Sequence, residues 1–143
     1  MPSEQTATIE FARQFHGHIG PYLILGLRIG EAAKKTLNIS NTELEQLRAE
    51  VAVPLFPPFS CLLDGVQVST TCTIGNQRLQ FKNSKNIQAT FMVEESGKIV
   101  KITFTKPFKS ILEEKKKQEK LNEAYAWELA QVPENQLFKI ASE

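Results

Sequence analysis

The sequence predicts an α+β fold, in which N-terminal helices pack on an antiparallel β-sheet and a C-terminal helical arm follows. Two observations carry this prediction. Apolar residues recur at helical spacing through the first half of the chain, and the spacing changes from about 3.6 residues to 2 near residue 76. A sheet with one apolar face needs a helix to cover it, so both patterns belong to one core.

The length and the charge balance exclude several classes of protein. A chain of 143 residues suits a single domain, 1–143, that is large enough to bury a core without disulfide bonds. With 17 Lys+Arg, 16 Asp+Glu and a formal net charge of +1, no general electrostatic field attracts nucleic acid or a membrane surface. We therefore expect neither partner.

Cysteine content and hydropathy predict the compartment. The chain has two cysteines and begins with the polar segment Met1–Gln5, which is not a signal peptide, so we expect a reducing, cytoplasmic location. The longest apolar stretch, Ile19–Leu27, is too short to span a bilayer, which takes roughly 20 residues.

Two helices are predicted at the N-terminus. Ile9, Ala12 and Phe15 have helical spacing in the segment from Thr6 to Phe15. A second, broader apolar stripe begins at Pro21, a favoured first helical residue, and continues to about Leu37. Its glycines, Gly26 and Gly30, leave a flat strip, which we interpret as a packing surface rather than a ligand approach.

A short helix, an extended segment and a further helix follow. A capping box, either Ser40 with Glu43 or Thr42 with Glu45, predicts a helix to about Ala49. Residues 51–56 are predicted to be extended. Pro57-Pro58 ends that segment, and a helix beginning at Phe59 or Ser60 would place Cys61 in its first turn.

The region 78–105 predicts strands. Apolar residues alternate with polar ones over 79–81, 87–93 and 100–104, and Glu94–Gly97 forms a turn between the last two runs. We expect an antiparallel meander with one apolar face, covered by the helix that begins at Pro21.

The C-terminal segment predicts a helical arm over about 108–132. Ser110 and Glu113 form a possible capping box, and the lysine-rich run 115–120 is interpreted as a solvated helix surface. The end of the arm is apolar, and we do not expect one core of this size to cover it. These apolar residues, which predict a homodimer, are Leu121, Tyr125, Trp127 and Leu129.

Both histidines of the chain lie in the run His16-Gly17-His18-Ile19-Gly20-Pro21. Side chains two residues apart share a side only in extended or loop backbone, since on a helix they diverge by about 200°. In a loop before the helix at Pro21, two imidazoles could meet one ion.

These residues also carry a family resemblance. The histidine run, then Cys61-Leu62-Leu63-Asp64-Gly65-Val66-Gln67, then Thr71-Cys72-Thr73-Ile74-Gly75-Asn76, resembles the core of the FmdE family of formylmethanofuran dehydrogenase proteins, over roughly residues 9–105. In that family the first motif reads His-Gly-His, one residue, Cys-Pro-Gly. The family cysteine is Gly20 here, and the glycine after the proline is Tyr22.

We predict a site in which His16, His18 and Cys61 bind a divalent metal ion, with zinc as the expected ion. Two imidazoles and one thiolate suit zinc, and three protein ligands leave a fourth position open to a small-molecule ligand. The alternative for the histidines is helix capping or hydrogen bonding to backbone. Gly20 adds no fourth ligand, which either opens the site to solvent or leaves it without metal.

Four further residues have two interpretations each. Cys61 and Asp64 are the candidates for a catalytic role: Cys61 as a thiolate stabilised by a helix start, and Asp64 as the group that orients an imidazole. Gln67 and Thr71 are the candidates for ligand binding. The alternatives are a buried apolar role for Cys61, solvation on the helix surface for Asp64 and Gln67, and turn capping for Thr71.

Three functions of different classes remain open. The first is a metal-dependent protein that acts on or senses a small molecule, linked through the resemblance to one-carbon or molybdenum/tungsten redox-enzyme metabolism. The second is a non-catalytic accessory or metal-delivery module for a larger oxidoreductase. The third is a relative that keeps the fold without the metal. The resemblance also implies a homodimer.

Overall fold

The computed structural model describes residues 3–142. The elements follow the order α1 (Glu4–His16), α2 (Pro21–Leu37), α3 (Asn41–Leu44), β1 (Leu47–Val53), α4 (Cys61–Thr70), β2 (Leu79–Asn83), β3 (Gln88–Val93), β4 (Ile99–Phe104), α5 (Lys106–Lys117), α6 (Glu123–Leu129), α7 (Glu134–Leu137) and β5 (Phe138–Ser142). The predicted α+β class is confirmed, since the helices accompany an open, mostly antiparallel sheet.

The sheet has five strands in the order β2-β1-β3-β4-β5. Strand β1 pairs in parallel with β2 and antiparallel with β3, while the β3–β4 and β4–β5 pairs are antiparallel. Alternate residues of β1, β3 and β4 point into the core, among them Val51, Phe91 and Ile102. This face lies toward the helices, and α2 contacts β4 as expected.

The prediction of a continuous meander over 78–105 is wrong in its first pairing. Strand β1 lies between β2 and β3, so β2 pairs in parallel with β1 instead of antiparallel with β3. The predicted helix to about Ala49 is also wrong, because α3 ends at Leu44. Of the two possible capping boxes, Ser40 with Glu43 forms. Pairing on both edges of β1 overrides the local helical preference of residues 45–49.

Helices α2 and α4 form the tightest contact in the molecule. A Cβ atom at Gly26 would overlap the Leu62 carbonyl oxygen, and one at Gly30 would overlap the Ser69 hydroxyl. On the facing helix, a Cβ at Gly65 would lie 2.6 Å from the Leu27 amide nitrogen. The interpretation of the glycine strip as a packing surface is therefore confirmed, and this contact holds α4 at a fixed position beside α2.

The C-terminal arm differs from its prediction. It is not one helix over 108–132 but α5 and α6, separated by residues 118–122, and the chain then returns to the sheet as β5. Helix α5 begins earlier than expected because Thr105, not Ser110, is its N-cap and accepts a hydrogen bond from the Phe108 amide. Pro107 lies in the first turn, where no amide hydrogen is required.

The apolar end of the arm packs on its own chain. Tyr125 and Leu129 are buried, and α6 contacts α2. The Arg28 guanidinium on α2 fixes the end of α6 by donating to the carbonyl oxygens of Leu129 at 2.8 Å and Val132 at 2.5 Å. The premise that these residues await a second copy of the chain is therefore wrong, and the homodimer itself stays a prediction.

Candidate functional site

The two histidines meet at the junction of α1 and α2. His16 is the last residue of α1, and Gly17 follows in the left-handed region with φ 104°. That backbone conformation favours glycine because a side chain there is strained. The reversal at Gly17 brings His18 back beside His16, with ring centroids 4.6 Å apart and an interplanar angle of 40°. The prediction that both histidines lie in a loop is therefore wrong for His16, which belongs to the last turn of α1.

Asp64 holds the first of these imidazoles. It lies in the first turn of α4, and its Oδ2 is 2.6 Å from Nδ1 of His16. The His16 side chain is 11% exposed and that of Asp64 is 34% exposed, so the pair is shielded on one side and open on the other. A carboxylate in this position keeps the proton on Nδ1 and leaves a lone pair on Nε2.

That second nitrogen is the unusual feature of the molecule. Nε2 of His16 is buried and has no hydrogen-bond partner among the residues the structure describes. Buried polar atoms in proteins are nearly always hydrogen-bonded, so an exception indicates a functional requirement or a ligand. The ring is oriented by Asp64 on one nitrogen and left free on the other, which is the usual arrangement of a metal-binding histidine.

Cys61 lies where the sequence predicted, as the first residue of α4, and is partly buried. Its electrostatics differ from the prediction. Burial, and next the negative charge of Asp64, raise the pKa of the Cys61 thiol above its ordinary value. The expectation of a stabilised thiolate is wrong for the chain without a bound cation, because the helix start does not outweigh these two effects.

The three predicted ligands do not form a ready metal cage. Within residues 3–142, no group of three or more His, Cys, Asp or Glu side chains is arranged to hold an ion. His16 and His18 come together and Asp64 joins them through its hydrogen bond. The donor types fit zinc, and the free Nε2 fits one bond to it. Cys61 does not complete such a group with the two imidazoles.

Gln67 and Thr71 lie further along α4. Gln67 is 9% exposed, and it donates from Nε2 to Oδ1 of Asp64 at 3.1 Å while its Oε1 accepts from the Ile74 amide at 3.2 Å. It therefore fixes Asp64. Thr71 is the left-handed C-cap of α4, with φ 59°, and lies at the far end of the helix, roughly 15 Å from Cys61 at 1.5 Å per residue.

Cys72 is a core residue. It is 1% exposed, and its thiol donates to the Leu47 carbonyl oxygen at 3.2 Å. Both cysteines are free, as expected for the pair.

Gly20, the position of the family cysteine, faces the site. Its φ of −138° and ψ of 166° are extended values that any residue adopts. A Cβ atom built there would lie 3.7 Å from Nε2 of His18, an ordinary contact distance. A side chain at residue 20 would thus be directed toward the imidazole pair without backbone strain.

Aromatic side chains next to the site were not identified from the sequence. Tyr22 follows Pro21 at the start of α2, and its ring lies 5.2 Å from that of Phe59, which precedes α4. Their positions in the sequence could have identified them. Tyr22 directly follows the histidine motif and Phe59 shortly precedes the Cys61 motif, so the two rings come close together when the motifs do.

Comparison with known proteins shows the family to which the chain belongs. A family profile described as "FmdE, Molybdenum formylmethanofuran dehydrogenase operon" matches residues 15–139. A protein of Archaeoglobus fulgidus named "Probable S-adenosyl-L-methionine-binding protein" is 30% identical over 100 residues, which are 70% of this chain and 27% of that protein. This chain thus spans about a quarter of the length of that curated relative.

A crystal structure shares the fold. It is that of a tungsten formylmethanofuran dehydrogenase FmdE-like protein from Syntrophus aciditrophicus, with a TM-score of 0.68 and 18% identity over 97% of this chain and 71% of that one. Across the described residues, no helix combines the length and apolar character needed to cross a bilayer. Since the family profile covers most of the chain, the protein belongs to the FmdE family of the formylmethanofuran dehydrogenase operon.

Proposed function

We propose that this FmdE-family protein binds a zinc-like divalent ion through His16, His18 and Cys61, and presents it to a small-molecule ligand. One observation carries the proposal: Nε2 of His16 is buried and unpartnered while Nδ1 is held by Asp64. An imidazole fixed in this way can donate the lone pair on Nε2 to a metal ion. No hydrogen-bond donor in residues 3–142 contacts that nitrogen.

Each side chain has a distinct part in this proposal. Asp64 orients His16 and keeps its proton on Nδ1, and Gln67 holds Asp64 in turn. His18 is exposed and can adjust its ring, while Gly20 leaves the adjoining space without a side chain. A bound divalent ion would supply Lewis acidity toward a ligand oxygen. Cys61 would have to lose its proton to join the set.

Family membership supports a role related to formylmethanofuran dehydrogenase. Whether this chain acts itself or serves a larger oxidoreductase as an accessory module is testable by affinity capture. We expect the captured partner to be a large redox enzyme if the accessory role is correct. Because the A. fulgidus relative is named for S-adenosyl-L-methionine, that compound is one small molecule to titrate.

A second candidate function has its own observation. The described residues contain no complete three-ligand group, and Gly20 replaces the family cysteine. Both facts favour a relative that keeps the fold without the metal, with the Asp64–His16 pair serving a structural role.

Elemental analysis of protein purified without an affinity tag separates the two candidates. We expect about one equivalent of zinc or a similar ion per chain. The His16→Ala variant should be depleted, whereas Asn76→Ala, a change in the loop after α4, should not. Wild-type protein that contains no metal and takes up none from zinc-supplemented buffer would favour the metal-free candidate.

A further inference from the structure

A groove of about 550 Å³ opens at the start of α2, where Tyr22 lines it. Its walls come from the start of α2, the loop before α4, the end of β4 and one face of α5. Residues 83–87, which are the last residue of β2 and the loop after it, complete the walls. Small-molecule sites in proteins are concave and commonly measure about 300–1,000 Å³. The volume of this groove suits a compact organic molecule.

The groove is lined with aromatic rings. Tyr22, Phe56, Phe59 and Phe104 all contribute to it. The ring of Phe59 contacts both Tyr22 and Phe56 edge to face, with centroid distances of 5.2 Å in each case. Phe56 is 55% exposed although it is a large apolar side chain. Tyr22 and Phe104 are buried at the base of this group, so Phe56 and the partly buried Phe59 are the rings that could cover the flat face of a ligand.

Lysines surround these rings. Lys85, Lys109 and Lys116 line the groove, and Glu113 is its one acidic lining residue. Among residues 3–142, none of the three lysines forms an ion pair with a carboxylate. The Lys116 ammonium lies over the Phe59 ring, 4.9 Å from its centroid. A positive charge therefore lies next to one of the rings that line the groove.

Tyr22 adds a polar group to the apolar wall. The residue is 4% exposed, and its hydroxyl group is the polar end of an otherwise apolar side chain. Like any tyrosine, Tyr22 keeps its hydroxyl proton at neutral pH, and burial raises its pKa further, to about 12. A hydroxyl in this position gains from an acceptor brought by a ligand.

We propose that this groove binds a planar aromatic or heteroaromatic anion, with the ring on the phenylalanines and the negative group among Lys85, Lys109 and Lys116. The occupant is a small molecule because the groove is concave and of that volume, and it is an anion because the lining charges are mainly positive. The inference goes beyond the proposed metal site and does not rest on it, since it uses none of the metal ligands.

Two probes of one shape test the charge preference. Binding of 2-naphthoate and of neutral 2-naphthamide is measured by titration with detection of backbone amide shifts in NMR. We expect naphthoate to bind at least about five-fold more tightly, in line with one or two partly exposed ion pairs. The largest shifts should fall on Tyr22, Phe59 and Lys116. Equal affinity for the two probes would overturn the proposal.

Variants locate the site on the surface. Lys116→Gln should weaken naphthoate binding about two- to five-fold, and Phe56→Ala about five-fold, with little change in stability because both side chains are exposed. Lys101→Gln, an exposed lysine on β4 outside the groove, is the matched control and should leave binding unchanged. If Lys116→Gln behaves like Lys101→Gln, the groove is not the anion site.

The alternative occupant is a second copy of the chain. Light scattering of the wild type and Phe56→Ala at tens of micromolar distinguishes it from a small molecule. We expect the same mass for both proteins. If Phe56→Ala converts a dimer to a monomer, the aromatic surface is an interface between two copies, and the small-molecule proposal fails.

Discussion

The two ends of helix α4 differ in how completely the polar side chains around them are hydrogen-bonded. At the C-terminal end, the Thr70 hydroxyl donates to the Val66 carbonyl oxygen at 2.6 Å and accepts from the Cys72 amide at 3.1 Å. At the N-terminal end, the Asp64–His16 hydrogen bond leaves Nε2 buried and unpartnered. Satisfied groups indicate structure, and the unsatisfied nitrogen indicates a site.

The difference divides motif residues that look alike in the sequence. Gln67 belongs to the same motif as Asp64, and Thr71 begins the next motif, yet Gln67 ties α4 to the following loop and Thr71 ends the helix. Among the described residues, neither has a free, buried polar atom. The proposed ligand site therefore lies at the N-terminal end of α4, where Gln67 holds Asp64 in position.

Removing the close approach of α2 and α4 should disrupt both ends together. In Gly65→Ala, the new methyl group would overlap the Leu23 carbonyl oxygen and lie 2.6 Å from the Leu27 amide nitrogen, and backbone atoms cannot move aside cheaply. We expect a loss of about 3 kcal/mol or more in the free energy of unfolding, measured by urea denaturation. Gly75→Ala is the control, since its nearest neighbour lies 3.9 Å away. A Gly65→Ala variant as stable as this control would show that the helices do not determine the geometry of α4.

Changing the N-terminal end alone should affect metal binding more than folding. Asp64→Asn keeps the shape of the side chain but removes the charge that holds the proton on Nδ1 of His16. We expect zinc affinity to fall about 10- to 100-fold in a chelator competition assay. Unchanged affinity in a folded variant would mean that Asp64 does not orient a metal ligand.

Changing the C-terminal end should have the opposite profile. The Asn76 side chain accepts from the Thr73 and Arg78 amides at 3.0 Å each, and donates to the Thr71 carbonyl oxygen at 2.7 Å. Asn76→Ala should cost about 1–2 kcal/mol of stability, because exposed loop hydrogen bonds contribute modestly. Its zinc affinity should equal that of the wild type. A loss of zinc affinity comparable to that of Asp64→Asn would remove the distinction between the two ends.

The cysteines should differ in access more than in acidity. In metal-free protein, burial raises the pKa of both thiols, so both have less thiolate at neutral pH than an ordinary cysteine. We expect iodoacetamide to modify Cys61 first, since Cys72 is 1% exposed, and both rates to rise only as the pH passes above the usual thiol range. Mass spectrometry of pH-dependent alkylation measures this. Faster modification of Cys72 at neutral pH would contradict the placement of Cys61 at the site.

Local signals in the sequence predicted some elements well and others poorly. The bounds of α2 were predicted because Pro21 begins it and an unbroken apolar stripe follows. Strand β1 was predicted in part as a helix, since its identity depends on pairing with β2 and β3, which are distant in sequence. The return of the chain as β5, beside β4, has the same cause.

The candidate site shows the same limit. The motifs were sufficient to identify His16, His18 and Asp64 as candidate site residues. They also placed Cys61 correctly at the start of α4. The direction of the Cys61 pKa shift was not predicted correctly, because the burial of the thiol and its proximity to the Asp64 charge arise only in the folded chain. The groove at the start of α2 likewise brings together α5 and residues 83–87, which are distant in the sequence.

The central claim is that the site at the N-terminal end of α4, where Nε2 of His16 is unpartnered, binds a divalent ion. A zinc competition titration with a chromogenic chelator tests it directly, on the wild type, His16→Ala and Gly20→Cys. The wild type should bind one zinc per chain, and His16→Ala should lose that binding. Gly20→Cys should bind more tightly, since residue 20 has extended backbone and a Cβ there lies 3.7 Å from Nε2 of His18. If all three proteins fold equally well and bind zinc equally weakly, the converging site does not exist.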